Sequence, residues 1–320
     1  MSKAVSALFL VFVAAVLSYA FAHRTGLPKP ATEVHIETTM IMSAAPVGDA
    51  GMAAARVAVG ERGRIFRQAD AKAPWLAVKS PTESTLTRVH FLDAQNGLIV
   101  GHDQVILRTA DAGKTWKQVF SDAAAETPLF DVVQLDATRA FAIGAYGLFL
   151  ETVDGGATWS SRFILPEGED RHLNAIAKLA DGTLMIAGEA GTILRSTDAG
   201  TTWQKVESPY AGSYFGVQPM AGTQVVMYGM RGKLLRSDDN GASFVEVAVP
   251  IATSLFGSAI AADGSLLVAG QNGELLISRD GAQTFTNTKV DGRPMLSSVL
   301  PTTAGADVFG EKGLHAAATN

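Results

Sequence analysis

The sequence predicts an all-β fold made of seven similar units. Three observations support this prediction: a motif that recurs at a fixed distance, a recurring glycine, and a composition suited to short strands. The chain has 320 residues, of which 32 are glycine, and only 18% are charged. Short apolar runs bounded by Gly, Asp, Asn and Thr are typical of strands and tight turns rather than of amphipathic helices.

The recurring motif is Ser/Thr-x-Asp-x-Gly-x-Thr-Trp, which first appears in full at residues 109–116. It returns at 152–159, 196–203 and 237–244, and a copy with alanine in place of glycine occupies 278–285. The closing aromatic residues are spaced by 41, 43, 44, 41 and 41 positions, and they are Trp75, Trp116, Trp159, Trp203, Phe244 and Phe285. Such a period indicates stacked repeats that bury their faces against one another.

A glycine that ends a strand precedes each motif and gives the number of units. The seven glycines are Gly60, Gly101, Gly144, Gly188, Gly229, Gly270 and Gly310, usually in the pattern Gly-x-x-Gly. Residues 34–320 number 287, which equals seven units of 41. Four short strands in a unit of this size predict a seven-bladed β-propeller of four-stranded blades over residues 34–320.

The two ends of the repeat region predict how the ring closes. The last unit begins at Leu296 and ends near its third strand, without a motif or an outer strand. An orphan strand at Val34–Thr38 precedes the first unit. We therefore expect this N-terminal strand to complete the last blade, which would remove an open sheet edge.

The first 33 residues indicate export. Residues 4–22 form a run of 19 without a charge, and Ala20-Phe21-Ala22 fits a signal-peptide cleavage site. The run is also close to the length that spans a bilayer, so an uncleaved membrane anchor is the alternative. Residues 23–33 are expected to form a linker. Both interpretations predict a periplasmic or lumenal protein, and membrane contact through residues 4–22 remains open.

Composition excludes several kinds of site. The chain has no cysteine, so disulfides, thiolate metal sites and a cysteine nucleophile are excluded. A net charge of −5 without a basic run argues against nucleic acid as a partner. No phosphate-binding loop, dinucleotide fingerprint or metal-ligand spacing occurs, and we expect no cofactor and no metal.

The motif itself is expected to be a folded turn. Its aspartate accepts hydrogen bonds from the turn, its glycine adopts a positive φ, and its aromatic residue packs between blades. Because each copy lies in a separate blade, the carboxylates point apart and do not form one site. The residues assigned this structural role are Asp111, Asp154, Asp198, Asp239, Asp280, Trp116, Trp159 and Trp203.

These repeats resemble the Asp-box (BNR) repeats of sialidases, sortilin-type receptors and photosystem II assembly factors of cyanobacteria and plastids. Gly-x-x-Gly, the strand Ile193-Leu-Arg-Ser196 and Thr-Asp-x-Gly-x-Thr-Trp together look most similar to the assembly-factor family. The resemblance spans residues 40–315. It implies a periplasmic or lumenal assembly or stability factor that binds a membrane-protein subunit. We also expect a monomer, and a binding protein rather than an enzyme.

Strand alternation places the binding surface on one face. With strands A to D running outward in each blade, the A–B turns and Asp-boxes share one face, and the B–C tips and D–A connections share the other. We name them the Asp-box face and the Gly-x-x-Gly face. The second surrounds the channel mouth, where propellers usually bind ligands. The residues expected to bind are Arg62, Asp103, Tyr146, Arg171, Glu189, Tyr214, Arg231, Arg293 and Lys312.

A glycan-binding protein or sialidase-like glycoside hydrolase is the alternative. Its site would need an arginine cluster, a tyrosine nucleophile and facing carboxylates, for which Asp103 and Glu189 are the candidates. The Phe-Arg-Ile-Pro string of sialidases is absent, and Phe66-Arg67-Gln68 is the nearest match. The five basic residues of the expected site instead predict a basic patch that attracts an acidic segment of a protein client.

Overall fold

Residues 34–48 and 55–319 are described by the structure, a computed structural model. They form seven antiparallel sheets, which confirms the all-β fold and the number of blades. No helix in this described part has the length and hydropathy of a membrane span. The predicted targeting segment at 4–22 and the linker at 23–33 lie outside the described residues.

The strands follow the blades in chain order. Blade 1 contains β1 (Ile41–Pro46), β2 (Arg56–Gly60), β3 (Ile65–Gln68) and β4 (Trp75–Val78), and blade 2 contains β5 (Leu86–Phe91), β6 (Gly97–Gly101), β7 (Ile106–Thr109) and β8 (Lys117–Phe120). Blade 3 contains β9 (Leu129–Gln134), β10 (Ala140–Gly144), β11 (Phe149–Thr152) and β12 (Ser160–Ser161), and blade 4 contains β13 (Leu173–Lys178), β14 (Leu184–Gly188), β15 (Ile193–Ser196) and β16 (Gln204–Lys205). Blade 5 contains β17 (Tyr214–Pro219), β18 (Val225–Gly229), β19 (Leu234–Ser237) and β20 (Val245–Val247), and blade 6 contains β21 (Leu255–Ile260), β22 (Leu266–Gly270), β23 (Glu274–Ser278) and β24 (Thr286–Lys289). Blade 7 contains β25 (Leu296–Thr302), β26 (Gly305–Gly310) and β27 (Gly313–Ala317).

The first strands of the blades form the inner ring. Each contacts the first strands of both neighbouring blades, and β1 contacts β25, so the ring is closed. The second strands of blades 1 to 6 are buried along their whole length, as β10 and β22 illustrate. They are buried because each is flanked by two strands of its own sheet and covered by the blades on either side. The core therefore lies in layers between blades, which accounts for the apolar character of the second strands.

Each Asp-box packs on the preceding blade. A Cβ on Gly200 of blade 4 would come within 2.5 Å of the Phe141 ring of blade 3. The neighbouring Trp203 ring meets Phe149 edge-on at 6.0 Å, and Arg162 of blade 3 donates to the Gly200 carbonyl at 2.5 Å. At this junction the motif tryptophan therefore lies between blades 3 and 4.

The two faces are arranged as strand alternation predicts. On one face, the Gly155 N–H of an Asp-box donates to the Thr138 carbonyl of an A–B turn. On the other face, the Gly147 N–H of a B–C tip donates to the Arg171 carbonyl of a D–A connection. These two bonds lie at opposite ends of blade 3, so tips and D–A connections share one surface.

The closing strand predicted at Val34–Thr38 is not formed. Residues Ile36–Thr38 are instead a 3-10 turn, and blade 7 has three strands within the described residues. The segment does lie against β27, where a Cβ on Gly313 would come within 2.2 Å of the Ile36 carbonyl. The backbone of the segment bonds within its own turn, where the Thr39 N–H donates to the Ile36 carbonyl. These groups are therefore not used in a ladder with β27.

The junction of blades 7 and 1 is held mainly by side chains. The Arg56 guanidinium of β2 lies 2.9 Å from the Asp307 carboxylate of β26. Trp75, which ends the degenerate first Asp-box, meets Phe309 of β26 edge-on at 5.8 Å. On the inner ring, the Ser297 hydroxyl donates to the Ile41 carbonyl at 2.6 Å. Blade 1 thus covers blade 7 as each Asp-box blade covers the one before it.

Candidate functional site

The B–C tips share one backbone shape and differ in side chain. Six tips are one-turn 3-10 segments whose middle residue has φ between 52° and 63°. These middle residues are Arg62, Asp103, Tyr146, Ala190, Arg231 and Asn272. A positive φ is uncommon for residues with a side chain and is tolerated mainly in turns. The repeated turn therefore presents side chains that vary between blades at the same place, with arginine in blades 1 and 5.

The basic residues predicted to bind are all exposed on this face. Arg62 and Arg231 are the middle residues of their tips, and Arg293 has a positive φ of 48° in the connection from blade 6 to blade 7. Arg171 lies in the connection from blade 3 to blade 4, and Lys312 lies in the tip of blade 7. Within the described residues their side chains form no ion pair or hydrogen bond. Their convergence into one patch stays a prediction.

Arg62 lines a surface hollow of blade 1. The hollow has a volume of about 690 Å³, and Arg64, Lys79 and Glu83 also line it. The floor is made by Gly63, whose φ of +67° and 2.0 Å Cβ approach to the Thr82 carbonyl exclude a larger residue. Three cations around one hollow, with a single carboxylate, give this part of the face a positive surface that favours acidic groups.

Tyr146 and Glu189 are brought together through His172. The Tyr146 N–H donates to His172 Nδ1 at 3.0 Å, and the two rings meet edge-on at 4.8 Å. The His172 N–H donates to Glu189 Oε2 at 3.2 Å. A residue of the D–A connection thus joins the tips of blades 3 and 4. His172 was not singled out in the sequence as a binding residue, because a lone histidine in a loop carries no pattern.

Tyr214 was predicted to be a binding residue on this face, and that prediction is wrong. Its side chain is 0% exposed, because Tyr214 is the first residue of β17 and occupies the core position between blades 4 and 5. Its hydroxyl lies 2.8 Å from the Ser208 hydroxyl, and burial raises its pKa. A partner cannot reach this ring without unfolding the junction.

The two carboxylates proposed for glycoside hydrolysis each accept a hydrogen bond from a nearby residue. The Ser84 hydroxyl donates to Asp103 Oδ2 at 2.6 Å in the tip of blade 2. Glu189 lies in blade 4 and accepts from His172. No contact within the described residues joins the two carboxylates, and a complete blade separates them. Their surroundings do not define a facing acid and nucleophile pair.

The Asp-box carboxylates are used inside their own turns. Asp154 Oδ1 accepts from the Thr158 N–H at 2.9 Å, and its Oδ2 accepts from the Thr158 hydroxyl at 2.6 Å. The Thr152 hydroxyl donates to the same carboxylate at 2.8 Å and accepts from the Gly156 N–H at 2.9 Å. The Thr158 hydroxyl is the main cause that lowers the pKa of Asp154 to about 2.

The other four boxes repeat this arrangement. In each, a Ser or Thr donates to Oδ1 and the residue four positions after the aspartate donates its hydroxyl to Oδ2. Within the described residues, no group of three or more His, Asp or Glu side chains is placed to hold a metal ion. The boxes can therefore stabilise turns, and their geometry offers no shared site.

A polar cluster inside the ring was missed by sequence reasoning. Arg88 Nε of β5 lies 2.9 Å from Asp131 of β9, whose Oδ2 accepts from the Ile176 N–H of β13. Burial raises the pKa of Asp131, and Arg88 opposes that shift. The Tyr228 side chain passes over Gly216, and its hydroxyl donates to the Ser258 hydroxyl of β21 at 2.8 Å.

His90 belongs to the same inner surface. Burial, together with the adjacent Arg88 charge, lowers the pKa of His90 to about 4, so His90 is neutral near pH 7. The signal for this cluster was present in the repeat: blades 2 and 3 carry Arg and Asp at an inner-strand position where the others carry Ser, Ala or Gly. The ion pair and hydrogen bond of Asp131 connect blades 2, 3 and 4. The hydrogen bond of Tyr228 connects blades 5 and 6.

Fold and surface together define the class: a seven-bladed propeller of Asp-box repeats with variable tips on one face. The family model described as "Photosynthesis system II assembly factor YCF48" matches residues 67–127 and 120–249, more than half of the chain. The chain belongs to this family.

Two relatives from Prochlorococcus marinus, both named "Photosystem II assembly lipoprotein Ycf48", are similar in sequence. The protein of strain MIT 9313 is 40% identical over 143 residues, which cover 44% of this chain and 42% of the relative. That of strain NATL2A is 42% identical over 53 residues, covering 17% and 16%. The chain therefore matches less than half the length of these relatives.

Solved structures share the fold. "YCF48 bound to D1 peptide" has a TM-score of 0.67 and 18% identity and covers 87% of this chain and 90% of that one. "YCF48 from Cyanidioschyzon merolae" has a TM-score of 0.68 and 15% identity, with coverage of 86% and 94%. The WD40 propeller domain of Doa1 has a similar TM-score of 0.67 at 11% identity. Structural likeness at this identity shows the fold alone, because one fold hosts many functions.

Proposed function

We propose that this chain is an exported, non-enzymatic binding protein that acts as an assembly or stability factor for a membrane-protein complex. The observation that carries the proposal is the Gly-x-x-Gly face, where one repeated turn presents different charged and aromatic side chains. Family membership and the names of the relatives support the assembly role. The structural neighbour bound to a D1 peptide supports a peptide segment of a client as the ligand.

The basic residues of this face give the client its charge. Arg62, Arg171, Arg231, Arg293 and Lys312 come from the tips or connections of different blades and have no acidic partner among the described residues. On a chain with a net charge of −5, they attract an acidic segment more than other surface regions do. Blades from one chain close the ring, which supports a monomer.

The location follows from residues 4–22. Export to the periplasm or a lumen, with cleavage or retention of the apolar segment, accounts for this run. The relatives are named lipoproteins. This sequence, in contrast, has no cysteine to which a thiol-linked lipid could be attached. Cell fractionation with N-terminal sequencing tests this: a mature N-terminus at His23 indicates cleavage, full-length membrane-bound protein indicates an anchor, and soluble full-length cytosolic protein contradicts both.

Capture of membrane clients tests the binding role. The wild-type protein and an Arg171→Glu, Arg231→Glu, Arg293→Glu variant are used to capture proteins from detergent extracts of the host membrane. We expect the variant to keep its thermal midpoint and lose the wild-type partners. If it retains every partner, the basic residues do not recognise the client and the proposal fails. Turnover of a glycoside by purified protein would instead support the hydrolase alternative.

A further inference from the structure

The connection from blade 3 to blade 4 forms an exposed apolar surface with an acidic rim. It spans residues 162–172, eleven positions between β12 and β13, whereas the other D–A connections between described strands have six to eight. The additional length includes Pro166, Glu167, Gly168 and Glu169. Long connections with ordered side chains are often binding elements.

Two aromatic side chains stand out on this surface. Phe163 is 96% exposed and Tyr146 is 62% exposed, although most large apolar side chains of the described chain are buried. Both line one hollow of about 490 Å³, together with Ile164 and Leu165. The Leu165 side chain packs on Gly147, another lining residue, because a Cβ on Gly147 would lie 3.0 Å from Leu165 Cδ1. We name this surface the blade-3 hollow.

The rim of the blade-3 hollow is negative. Glu167, Glu169 and Asp170 line it and are exposed, and within the described residues none of them forms an ion pair. Apolar surface beside unpaired carboxylates is complementary to a segment that carries aliphatic and basic side chains. The same carboxylates oppose contact with anionic lipid headgroups, which favours a protein segment over a membrane surface.

We propose that the blade-3 hollow binds a short basic and aliphatic segment of a protein partner, with Phe163 and Tyr146 as the apolar contacts and Glu167, Glu169 and Asp170 as the charge contacts. This deepens the proposed function, since it gives a client a second contact whose charge is opposite to that of the arginine residues. Tyr146 is held in place for this role by its N–H bond to His172 and by the edge of that ring.

Fluorescence anisotropy with three labelled synthetic peptides tests the proposal. One alternates leucine with lysine, one alternates leucine with glutamate, and one alternates serine with lysine. We expect the wild-type protein to bind the leucine–lysine peptide at least about tenfold more tightly than either other peptide, because both apolar and charge contacts are required. Equal binding of the serine–lysine peptide would show charge attraction alone and overturn the proposal.

Variants locate the site. Two double variants are used. The first combines Phe163→Ser with Tyr146→Ser, and the second combines Glu167→Lys with Glu169→Lys. Each is expected to weaken binding of the leucine–lysine peptide by about tenfold or more. The matched control is Val245→Ser, which removes an apolar side chain that is 61% exposed on the outer strand of blade 5. All variants are compared after circular dichroism shows an intact fold. Undiminished binding in both test variants, or an equal loss in the control, would overturn the assignment.

Two further measurements separate competing explanations. Vesicles of phosphatidylcholine and phosphatidylglycerol are expected not to bind; vesicle binding that is lost in the Phe163 and Tyr146 variant would identify a membrane-contact surface and overturn the proposal. Arg231→Glu with Arg293→Glu is expected to leave leucine–lysine binding intact. The two proposals can therefore fail independently. The arginine variant can keep its membrane clients while the peptide binds at the blade-3 hollow, or it can lose them while the peptide does not bind.

Discussion

The Asp-box face and the Gly-x-x-Gly face use the same repeat in opposite ways. On the Asp-box face, five turns carry the same polar residues, and those residues bond to one another within the turn. On the Gly-x-x-Gly face, six turns have the same backbone, and their middle residues differ in charge, size and polarity. The comparison teaches that repetition of side chains marks structural turns, whereas repetition of backbone with varied side chains marks a surface available for recognition.

The largest effect is expected from Gly200→Ala on the Asp-box face. An added Cβ would meet the Phe141 ring at 2.5 Å with φ at +83°, and overpacking together with a left-handed alanine costs about 2–5 kcal/mol. Urea unfolding measures the loss. Gly182→Ala is the control, because Gly182 has a φ of +88° and nothing within 4 Å, so only about 1–2 kcal/mol is expected. Equal losses in the two variants would show that packing on blade 3 contributes little.

Thr152→Val removes the hydroxyl that donates to Asp154 and accepts from the Gly156 N–H within an Asp-box turn. Thr152 is buried, and without its hydroxyl the Gly156 N–H has no partner, so a loss of about 1–3 kcal/mol is expected. Thr152→Ser keeps the hydroxyl, as Ser196 does in blade 4, and should remain within about 1 kcal/mol of wild type. Chemical denaturation of both variants provides the measurement, and a serine variant as unstable as the valine variant would contradict the role of the hydroxyl.

Acid should weaken the Asp-box face. The pKa values of Asp154 and Asp198 are lowered to about 2, mainly by hydroxyl donors of Thr158 and Thr202. The unfolded chain therefore binds protons first, and the contribution of these turns is present above about pH 4 and lost as the pH falls towards about 2. An Asp154→Asn, Asp198→Asn variant should show a smaller drop in thermal midpoint over this range. A drop equal to that of wild type would contradict the assignment.

The smallest effect is expected on the Gly-x-x-Gly face. Tyr146→Gly relieves a left-handed tyrosine with φ at 54° and adds unfolded-state entropy, so the two effects largely offset each other within about 1 kcal/mol. Thermal unfolding of the variant measures the balance. A loss above about 2 kcal/mol would show that the tyrosine ring holds the fold, and the contrast between the two faces would not stand.

Repetition made the blades predictable from the sequence. Six or seven copies of one spacing define strand order, faces and the packing of the motif aromatics, because each unit meets the same surroundings. The segment 34–38 occurs once and has no second copy for comparison. Its alternation suits a strand, yet its own backbone bonds give a 3-10 turn. Local pattern alone does not decide between these when few residues are involved.

The binding surface was predicted only in part, for similar reasons. Tyr214 was placed in a loop, although the matching residues of the other blades are buried Ile or Leu that start the inner strand. Aligning the repeats at that position would have assigned Tyr214 to the core. Phe163 follows the motif Trp159 by four positions, as Phe120 follows Trp116 in blade 2, yet Phe120 is half-buried and Phe163 is 96% exposed. The repeat gives no consistent burial at this position, so only the folded chain shows Phe163 on the surface.

The pairing of blade 1 with blade 7 also determines the order in which contacts are made as the chain folds. Arg56 and Asp307 are 251 positions apart, whereas the bonds from Arg67 to Ala112 and from Arg195 to Asn240 join residues 45 positions apart. Closing the longer loop costs about 1.5 kcal/mol more in chain entropy, from the logarithm of that length ratio. Neighbouring blades are therefore expected to assemble first, and the ring to close last, when Arg56 meets a residue synthesised 251 positions later.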